Sequence, residues 1–257
     1  MNRRNGNRLL TDSDSSPIAW INRGASSSVA LVCEHAGNAV PATLDNLGLS
    51  ADQLQEHTAI DIGAEATARR LAELLNAPLL IQRYSRLVID CNRPPDAPDS
   101  IPESSHGTEV PANKGLNEQQ RNARIKEIFL PYDTTLRTFL ETPDTRFAFS
   151  IHSFTPRLNG EERPWDIGLL YRHDSDTSNN LCRNINSSHP DFVVGLNQPY
   201  TIDDESDWFV PQHAERLKLS HSLIEVRNDL IRTAEGQERM AIILATAIIQ
   251  IASGTHG

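Results

Sequence analysis

Several apolar runs of the sequence lead directly to side chains that could do chemistry. The run over residues 28–33 is followed by His35, and the run over residues 147–151 is followed by His152. Ligands of open α/β sheets bind at the carboxyl ends of the strands, so we expect both histidines at such an edge. Further polar residues lie at the ends of, or within, predicted strands: Asp90, Asn92, Arg93 and Glu225.

Two histidines from separate strands and one carboxylate have the composition of a catalytic zinc site. Such a site has three protein ligands and keeps a fourth position open for water. We expect His35 and His152 as ligands, with Asp61 or Glu34 as the carboxylate. A nearby carboxylate that is not a ligand can act as the general base, and Glu225 suits that role. From composition alone, two hydrogen-bonded core histidines are an equally open interpretation.

The elements that would position these residues alternate along the chain. Apolar runs predict strands over residues 28–33, 79–83, 86–91, 147–152, 167–171, 192–195 and 219–227. The tight connection at Tyr84-Ser85 predicts a hairpin between the second and third of these strands. Helices are predicted over 61–76, 116–141, 177–187 and 235–252, with shorter helical segments at 51–56 and 207–217. Asp61 is a possible N-cap, and Pro131 could kink the second helix. This alternation predicts one α/β domain with a mixed sheet.

Two segments lie outside these elements. Residues 1–27 are polar, and we expect an extended or loosely packed arm that precedes a domain over residues 28–257. Residues 94–115 contain five prolines and two glycines. Long irregular loops in compact domains are often lids or binding loops, so we expect this loop to close over the site.

Composition argues against several classes of protein. The chain has 34 acidic and 24 basic residues and a net charge of −10, and we therefore expect no nucleic-acid partner. The longest apolar run, over residues 240–252, is too short to span a membrane. Three widely spaced cysteines without a CxxC motif, and an N-terminus without an apolar core, predict a cytoplasmic protein without a secretory signal.

Five segments, in this order, resemble the N-formylglutamate amidohydrolase family: VCEHAGNAVP, HTAIDIGA, YSRLVIDCNR, HSFTP and IEVRNDL. They extend over roughly residues 28–230. That family is related to the zinc carboxypeptidases. The resemblance therefore implies a zinc carboxypeptidase-like fold of the phosphorylase/hydrolase type, a single α/β domain with a mixed, mostly parallel sheet and helices on both faces. It also implies a hydrolase that cleaves the amide bond of a small N-acyl amino acid such as N-formylglutamate.

The resemblance implies roles for individual residues as well. His35 and His152 would bind one Zn²⁺ per chain, and Glu225 would be the base. Asn92 and Arg93 would hold the substrate carboxylate, since a planar guanidinium matches a carboxylate bidentately.

The chain departs from the carboxypeptidases at one position. They take two ligands from an HxxE motif, whereas Asn38 stands at the last position of that motif here. The third ligand is therefore expected to come from elsewhere, and the resemblance implies Asp61, on which the family's second motif is centred. Glu34 is the alternative, although neighbouring side chains on a strand point to opposite faces.

Other residues are expected around the pocket. Arg86 would polarise the scissile carbonyl or hold a second carboxylate, and Tyr200 and His213 would help to shape the pocket. The remaining histidines considered are expected to face solvent: His57, His106, His173, His189 and His256.

Other interpretations stay open. Glu225 could form an ion pair with Arg227, and Arg93 could form one with Asp90. A carboxypeptidase-like metallopeptidase that cuts a peptide or cell-wall fragment is one alternative function. A non-catalytic binding protein is another, and the departure at Asn38 favours it. The sequence does not define the oligomeric state.

Overall fold

A computed structural model describes residues 8–254 of the chain, and a seven-stranded sheet forms the centre of this part. The strands are β1 (Ile18–Ile21), β2 (Val29–Cys33), β3 (Leu79–Gln82), β4 (Phe147–Phe154), β5 (Ile167–Leu170), β6 (Val194–Leu196) and β7 (Ser220–Arg227). Their order across the sheet is β1-β3-β2-β4-β7-β5-β6.

The sheet is mixed and mostly parallel, as the sequence predicts. Strands β3, β2, β4 and β7 run parallel to one another in the middle of the sheet. Strand β1 pairs antiparallel with β3 at one edge, and β5 pairs antiparallel with β7. At the other edge, β6 runs parallel to β5. The carboxyl ends of β2 and β4, which precede or contain the two histidines, therefore meet at one edge.

Helices cover both faces of the sheet, which confirms the predicted architecture. The helices are α1 (Ala64–Leu74), α2 (Glu118–Arg124), α3 (Leu130–Leu140), α4 (Ser175–Ser188) and α5 (Ala234–Gly254). Val29 and Leu31 of β2 belong to the core cluster that includes α1, α4 and α5. Ala30 and Val32 belong to the cluster that includes α3. This division follows from the two-residue period of a strand, and it explains why β2 is apolar throughout.

The predicted hairpin between residues 79–83 and 86–91 is wrong, because the second segment is not a strand. Its backbone groups bond to partners outside the sheet. The side chain of Asn113 donates to the Leu87 carbonyl, and the side chain of Arg124 donates to the Val88 carbonyl. Hydrogen bonds from these distant side chains take the place of the hydrogen bonds that a neighbouring strand would provide. They fix the segment that leads to Asp90.

The predicted helix over residues 116–141 is interrupted. A π-helical turn, Ile125–Phe129, lies between α2 and α3 and directly precedes Pro131. Proline has no backbone N–H to donate, so a change in the hydrogen-bond pattern at this point is expected. The predicted segment over 207–217 is helical only at Phe209–Ala214, and that over 51–56 only at Gln53–Gln55.

The sequence predicts an extended or loosely packed arm over residues 1–27; strand β1 is extended, but much of the described part is not loosely packed. Strand β1 pairs with β3 over four residues. Leu9 is buried, and the backbone N–H groups of Leu9 and Leu10 donate to the carboxylate of Glu127. Residues 1–7 of the predicted arm lie outside the described residues. Within residues 8–254, no helix is long and apolar enough to cross a membrane.

Candidate metal site and cavity

Three side chains expected to bind metal lie together beyond the carboxyl ends of β2 and β4. His35 follows β2, His152 lies within β4, and Asp61 lies in the turn before α1. All three are buried, and one ligand atom from each lies within 4.8 Å of the other two. Strands β2 and β4, which have five and eight residues, are neighbours in the sheet. Their pairing brings the two histidines together.

Asp61 is not the N-cap of α1, contrary to the prediction. The helix begins at Ala64, and its N-cap is Gly63 in the left-handed region, with φ of 79°. A Cβ at Gly63 would lie 2.2 Å from the carbonyl oxygen of Ile231, so glycine is required there on steric grounds too. The Asp61 carboxylate points to the histidines instead, and its Oδ2 accepts the backbone N–H of Ser153 at 3.2 Å.

Both histidine rings turn Nε2 toward a buried carboxylate. Nε2 of His35 lies 2.7 Å from Oδ1 of Asp90, and Nε2 of His152 lies 3.1 Å from Oε2 of Glu34. An ionised carboxylate only accepts hydrogen bonds, so each Nε2 must carry the proton. Nδ1 of each ring therefore faces Asp61.

The two distances from Asp61 to the histidine Nδ1 atoms are close to those that a tetrahedral metal requires. Oδ2 of Asp61 lies 3.4 Å from Nδ1 of His35 and 3.0 Å from Nδ1 of His152. Zinc bonds of about 2.0–2.1 Å at tetrahedral angles separate neighbouring ligand atoms by about 3.3 Å. Nδ1 of His35 is buried and has no hydrogen-bond partner among the described residues. These three residues therefore fit a zinc ion.

The protonation of these residues follows from their contacts. Burial alone would raise the pKa of Asp61, but His35 and the hydrogen bond to His152 hold that pKa well below its usual range. Burial would lower the pKa of His152, yet its hydrogen bonds to Asp61 and Glu34 raise it well above the usual value. Burial also opposes ionisation of Glu34, and the hydrogen bond to His152 still lowers its pKa. The carboxylates around the histidines are thus ionised.

A cavity of about 250 Å³ opens beside the cluster. Its walls include His35 and His152 and most of the residues that the sequence analysis assigns to catalysis and substrate binding. Those residues are Arg86, Asn92, Arg93, Tyr200 and Glu225.

Glu225 lies in β7, next to His152 in the strand register. It is 7% exposed, and its Oε2 has no hydrogen-bond partner among the described residues. Burial raises its pKa to about 7 against the opposing effect of His152. The alternative of an ion pair with Arg227 does not occur, because Arg227 pairs with acidic side chains elsewhere, Asp166 and Asp229. Glu225 is therefore a carboxyl group that can take up and release a proton near neutral pH.

The two arginines of the cavity are held by carboxylates. Arg86 lies 2.9 Å from Asp90 and 3.4 Å from Asp61. Arg93 lies 3.7 Å from Asp90 and 2.7 Å from Asp99, which is more than half exposed. The ion pair of Arg93 with Asp90, one of the alternatives left open by the sequence, is thus present. The closer partner of Arg93 is Asp99, a surface residue that a bound anion could displace.

Asn92 and Tyr200 are fixed by different contacts. Oδ1 of Asn92 accepts the backbone N–H groups of Trp208 and Phe209, which ties the cavity wall to the π-helical turn Phe209–Ala214. The hydroxyl of Tyr200 accepts a hydrogen bond from Arg163 at 2.9 Å. The guanidinium of Arg163 also lies over the Tyr200 ring, 4.8 Å from its centroid.

His213 does not belong to the cavity, contrary to the prediction. It is buried, and its Nε2 lies 2.9 Å from Oδ1 of Asp133, which also accepts the indole N–H of Trp208. These contacts join the π-helical turn to α3, so the surroundings of His213 indicate a structural role.

The prediction that His57 faces solvent is wrong, because this residue is mostly buried and lines the cavity. His106 is exposed, as predicted, although it also lines the cavity. Burial lowers the pKa of His57 to about 4, and its Nδ1 lies 4.0 Å from Oδ1 of Asp61. Its position four residues before Asp61 in HTAID was the available sequence signal. His106 belongs to the loop over residues 94–115, so this loop does reach the cavity. Three other histidines lie elsewhere: His173 is exposed, His189 is partly buried, and His256 is outside the described residues.

The sequence analysis missed two residues at the cavity. One of them, Asp207, is in the cavity wall, and the other, Arg163, lies behind the wall. Asp207 lines the cavity, and burial raises its pKa to about 6. Arg163 is 8% exposed and has no carboxylate partner among the described residues; it lies behind Tyr200. No local pattern marks either position, since both lie in irregular segments.

Comparison with known proteins gives a family and several similar folds. The model of the N-formylglutamate amidohydrolase family matches residues 27–232. The crystal structure of gene product Atu2144 from Agrobacterium tumefaciens has 34% sequence identity and a TM-score of 0.88, covering 97% of this chain and 100% of that one. A search of curated proteins gives no match.

Two further structures are similar in fold. N-formylglutamate amidohydrolase from Ralstonia eutropha JMP134 has 17% identity and a TM-score of 0.63, over 93% of this chain and 98% of that chain. Tripeptide-bound cell shape determinant Csd4 from Helicobacter pylori has 12% identity and a TM-score of 0.51, over 93% of this chain and 56% of that one.

The fold and the site define a hydrolase that acts on C–N amide bonds. The chain belongs to the N-formylglutamate amidohydrolase family.

Proposed function

We propose that this protein is a zinc-dependent amidohydrolase that cleaves the amide bond of a small N-acyl amino acid such as N-formylglutamate. The observation that carries the proposal is the convergence of Nδ1 of His35, Nδ1 of His152 and Oδ2 of Asp61 beside a cavity that contains Glu225. A bound Zn²⁺ would polarise the acyl carbonyl and lower the pKa of a water molecule. One Zn²⁺ per chain is proposed, because the described residues contain one such cluster.

Glu225 is the proposed base. Its buried carboxyl group faces the cavity with one oxygen unpartnered, so it can accept a proton from the attacking water. The same group can then deliver that proton to the departing amine, and its pKa near 7 suits both steps. Because the same side chain takes up the proton and later delivers it, the proposed reaction requires no second general acid.

Arg93 and Asn92 are proposed to bind the α-carboxylate of the substrate. Arg93 presents a planar fork whose nearest partner is the exposed Asp99. Asn92 is held by backbone N–H groups, so its position is fixed before substrate binds. Arg86 is proposed to stabilise negative charge that develops on the carbonyl oxygen, as cationic groups do in a site shielded from water. Tyr200, which also lines the cavity, is proposed to contact the substrate.

The departure at Asn38 does not weaken the proposal. Its side chain donates to the carbonyl oxygen of Leu54, away from the cluster, and we propose Asp61 as the carboxylate ligand instead. A candidate set of three ligands thus exists without an HxxE motif, which supports the proposal over a protein with a degraded metal site. Free thiols at Cys33, Cys91 and Cys182 support the proposed cytoplasmic location.

Hydrolysis of a matched set of amides tests the proposal. Zinc-loaded protein should hydrolyse N-formyl and other N-acyl amino acids and leave their α-carboxamide derivatives intact, because the amides lack the carboxylate that Arg93 would hold. Cleavage of carboxy-terminal residues from peptides, with no reaction on acyl amino acids, would favour the peptidase. Absence of hydrolysis and of metal binding would favour a non-catalytic protein.

A further inference from the structure

Glu34 makes a contact for which neither the family nor the proposed chemistry provides a role. This residue directly precedes His35 and is 1% exposed. Its Oε2 accepts the Oγ–H of Ser150 at 2.5 Å and the Nε2–H of His152 at 3.1 Å. A buried carboxylate is costly unless it is paired, and these two donors stabilise the charge at Oε2. Oε1 is buried and has no hydrogen-bond partner among the described residues.

The position of Glu34 excludes it as the third ligand. It lies on the Nε2 side of the His152 ring, whereas Asp61 lies on the Nδ1 side, 3.0 Å away. The cluster of possible ligand atoms within 4.8 Å of one another contains His35, Asp61 and His152 and does not include Glu34. The alternative ligand considered in the sequence analysis is therefore wrong for this geometry.

Strand pairing explains why Glu34 reaches His152. Val32 of β2 pairs with Ser150 of β4 in parallel register. If that register is continued two residues past the end of the pairing, Glu34 falls opposite His152. Ser150 and His152 are two residues apart on one strand and share a face, so a single carboxylate can bond to both.

The two ligand histidines have matching arrangements. Asp90 accepts the Nε2–H of His35, and Glu34 accepts the Nε2–H of His152. In each pair, the carboxylate and the histidine that it holds belong to different segments of the chain. Carboxylates that accept the outer N–H of a metal-bound histidine fix its tautomer and ring orientation and increase its basicity.

We infer that Glu34 is a positioning residue that holds the His152 ring with Nδ1 directed at the metal. The inference rests on the proposed metal site. The side chain of Glu34 does not line the substrate cavity. Among the ligands it forms a hydrogen bond with His152 alone, so its inferred effect on the metal acts through that ring.

Zinc affinity measured by competition with a chromophoric chelator tests this role without any activity assay. Glu34→Gln keeps the size of the side chain but removes its charge, and it should weaken zinc binding about 10–100-fold. Asp133→Asn is the matched control, since Asp133 is also a buried carboxylate bonded to a histidine, His213, away from the cavity. That control should leave zinc affinity unchanged.

Cobalt substitution separates a positioning residue from a ligand. The absorption spectrum of the Co²⁺ form reports the coordination of the metal, and Glu34→Gln should leave its intensity unchanged. A changed coordination number would make Glu34 a ligand and overturn the inference. Unchanged zinc affinity in the folded variant would overturn it as well.

Histidine NMR on the wild-type chain keeps the test independent of whether the variant folds. In zinc-loaded protein labelled with ¹⁵N-histidine, His152 should bind metal through Nδ1 and retain a slowly exchanging Nε2 proton. Coordination through Nε2 would contradict the inference while leaving zinc binding itself intact. A wild-type chain without zinc affinity would instead overturn the proposed function, and the inference with it.

Discussion

The imidazole of His35 lies edge-on to the imidazole of His152, with ring centroids 4.6 Å apart and an angle of 84° between the planes. The rings belong to neighbouring parts of the sheet, and each is held on its outer side by a buried carboxylate. This relationship directs both Nδ1 atoms to Asp61. The expected metal chemistry depends on it, and so do the predictions that follow.

Glu225→Gln should retain zinc and lose turnover. The amide cannot accept the proton of the attacking water, so kcat should fall by about 10²–10⁴-fold, the usual contribution of a general base. Steady-state kinetics and metal content, measured on the same preparation, check this expectation. Glu162→Gln, at an exposed glutamate, is the matched control and should behave as the wild type does. Substantial activity in the Glu225 variant would assign the base to another group.

His152→Ala should lose the metal, since it removes one of three protein ligands. His213→Ala removes a histidine of equal burial that lies outside the cavity, and it should keep the metal. Elemental analysis of both variants distinguishes loss of a ligand from general damage to the fold. Tight retention of zinc by the first variant would contradict the proposed ligand set.

The pH dependence of kcat/KM should show an acidic limb governed by Glu225. A base works in its ionised form, and burial raises the pKa of this group to about 7, so activity should rise as pH increases toward that value. A bound cation favours the ionised form and shifts the limb to lower pH. A profile measured on zinc-loaded protein should therefore have its acidic limb at or below about pH 7. A rate that falls over this interval as pH rises would contradict the assignment.

Substitution of Arg93 and substitution of Asp99 should change the KM of the substrate in opposite directions. Arg93→Lys keeps the charge but loses the planar fork, and it should raise KM about tenfold or more with a smaller effect on kcat. Asp99 competes with the substrate carboxylate for the same guanidinium at 2.7 Å, so Asp99→Asn should lower KM. KM values for one N-acyl amino acid across the three proteins check both directions. A lower KM for Arg93→Lys would remove Arg93 from the binding site.

The sequence predicts the strands at the centre of the sheet well and the segment after β3 poorly. Strands β2, β4 and β7 are buried on both faces, so their apolar runs identify them. Residues 86–91 are also apolar but are held by Arg124 and Asn113 from a distant part of the chain. Local patterns contain no information about such partners.

The same distinction applies to the candidate site. His35 and His152 follow from their positions at or beyond strand ends, whereas the choice between Asp61 and Glu34 depends on which ring nitrogen each carboxylate faces. The sequence analysis predicts that His213 helps to shape the pocket. Its carboxylate partner, Asp133, lies 80 positions earlier and holds it elsewhere.

The metal content of the purified wild-type protein tests the account most directly. The protein should be prepared without a metal-affinity tag and measured by elemental analysis before and after addition of zinc. The account predicts about one zinc per chain, bound by three protein ligands. Protein that folds and still holds no zinc after its addition would contradict the central claim.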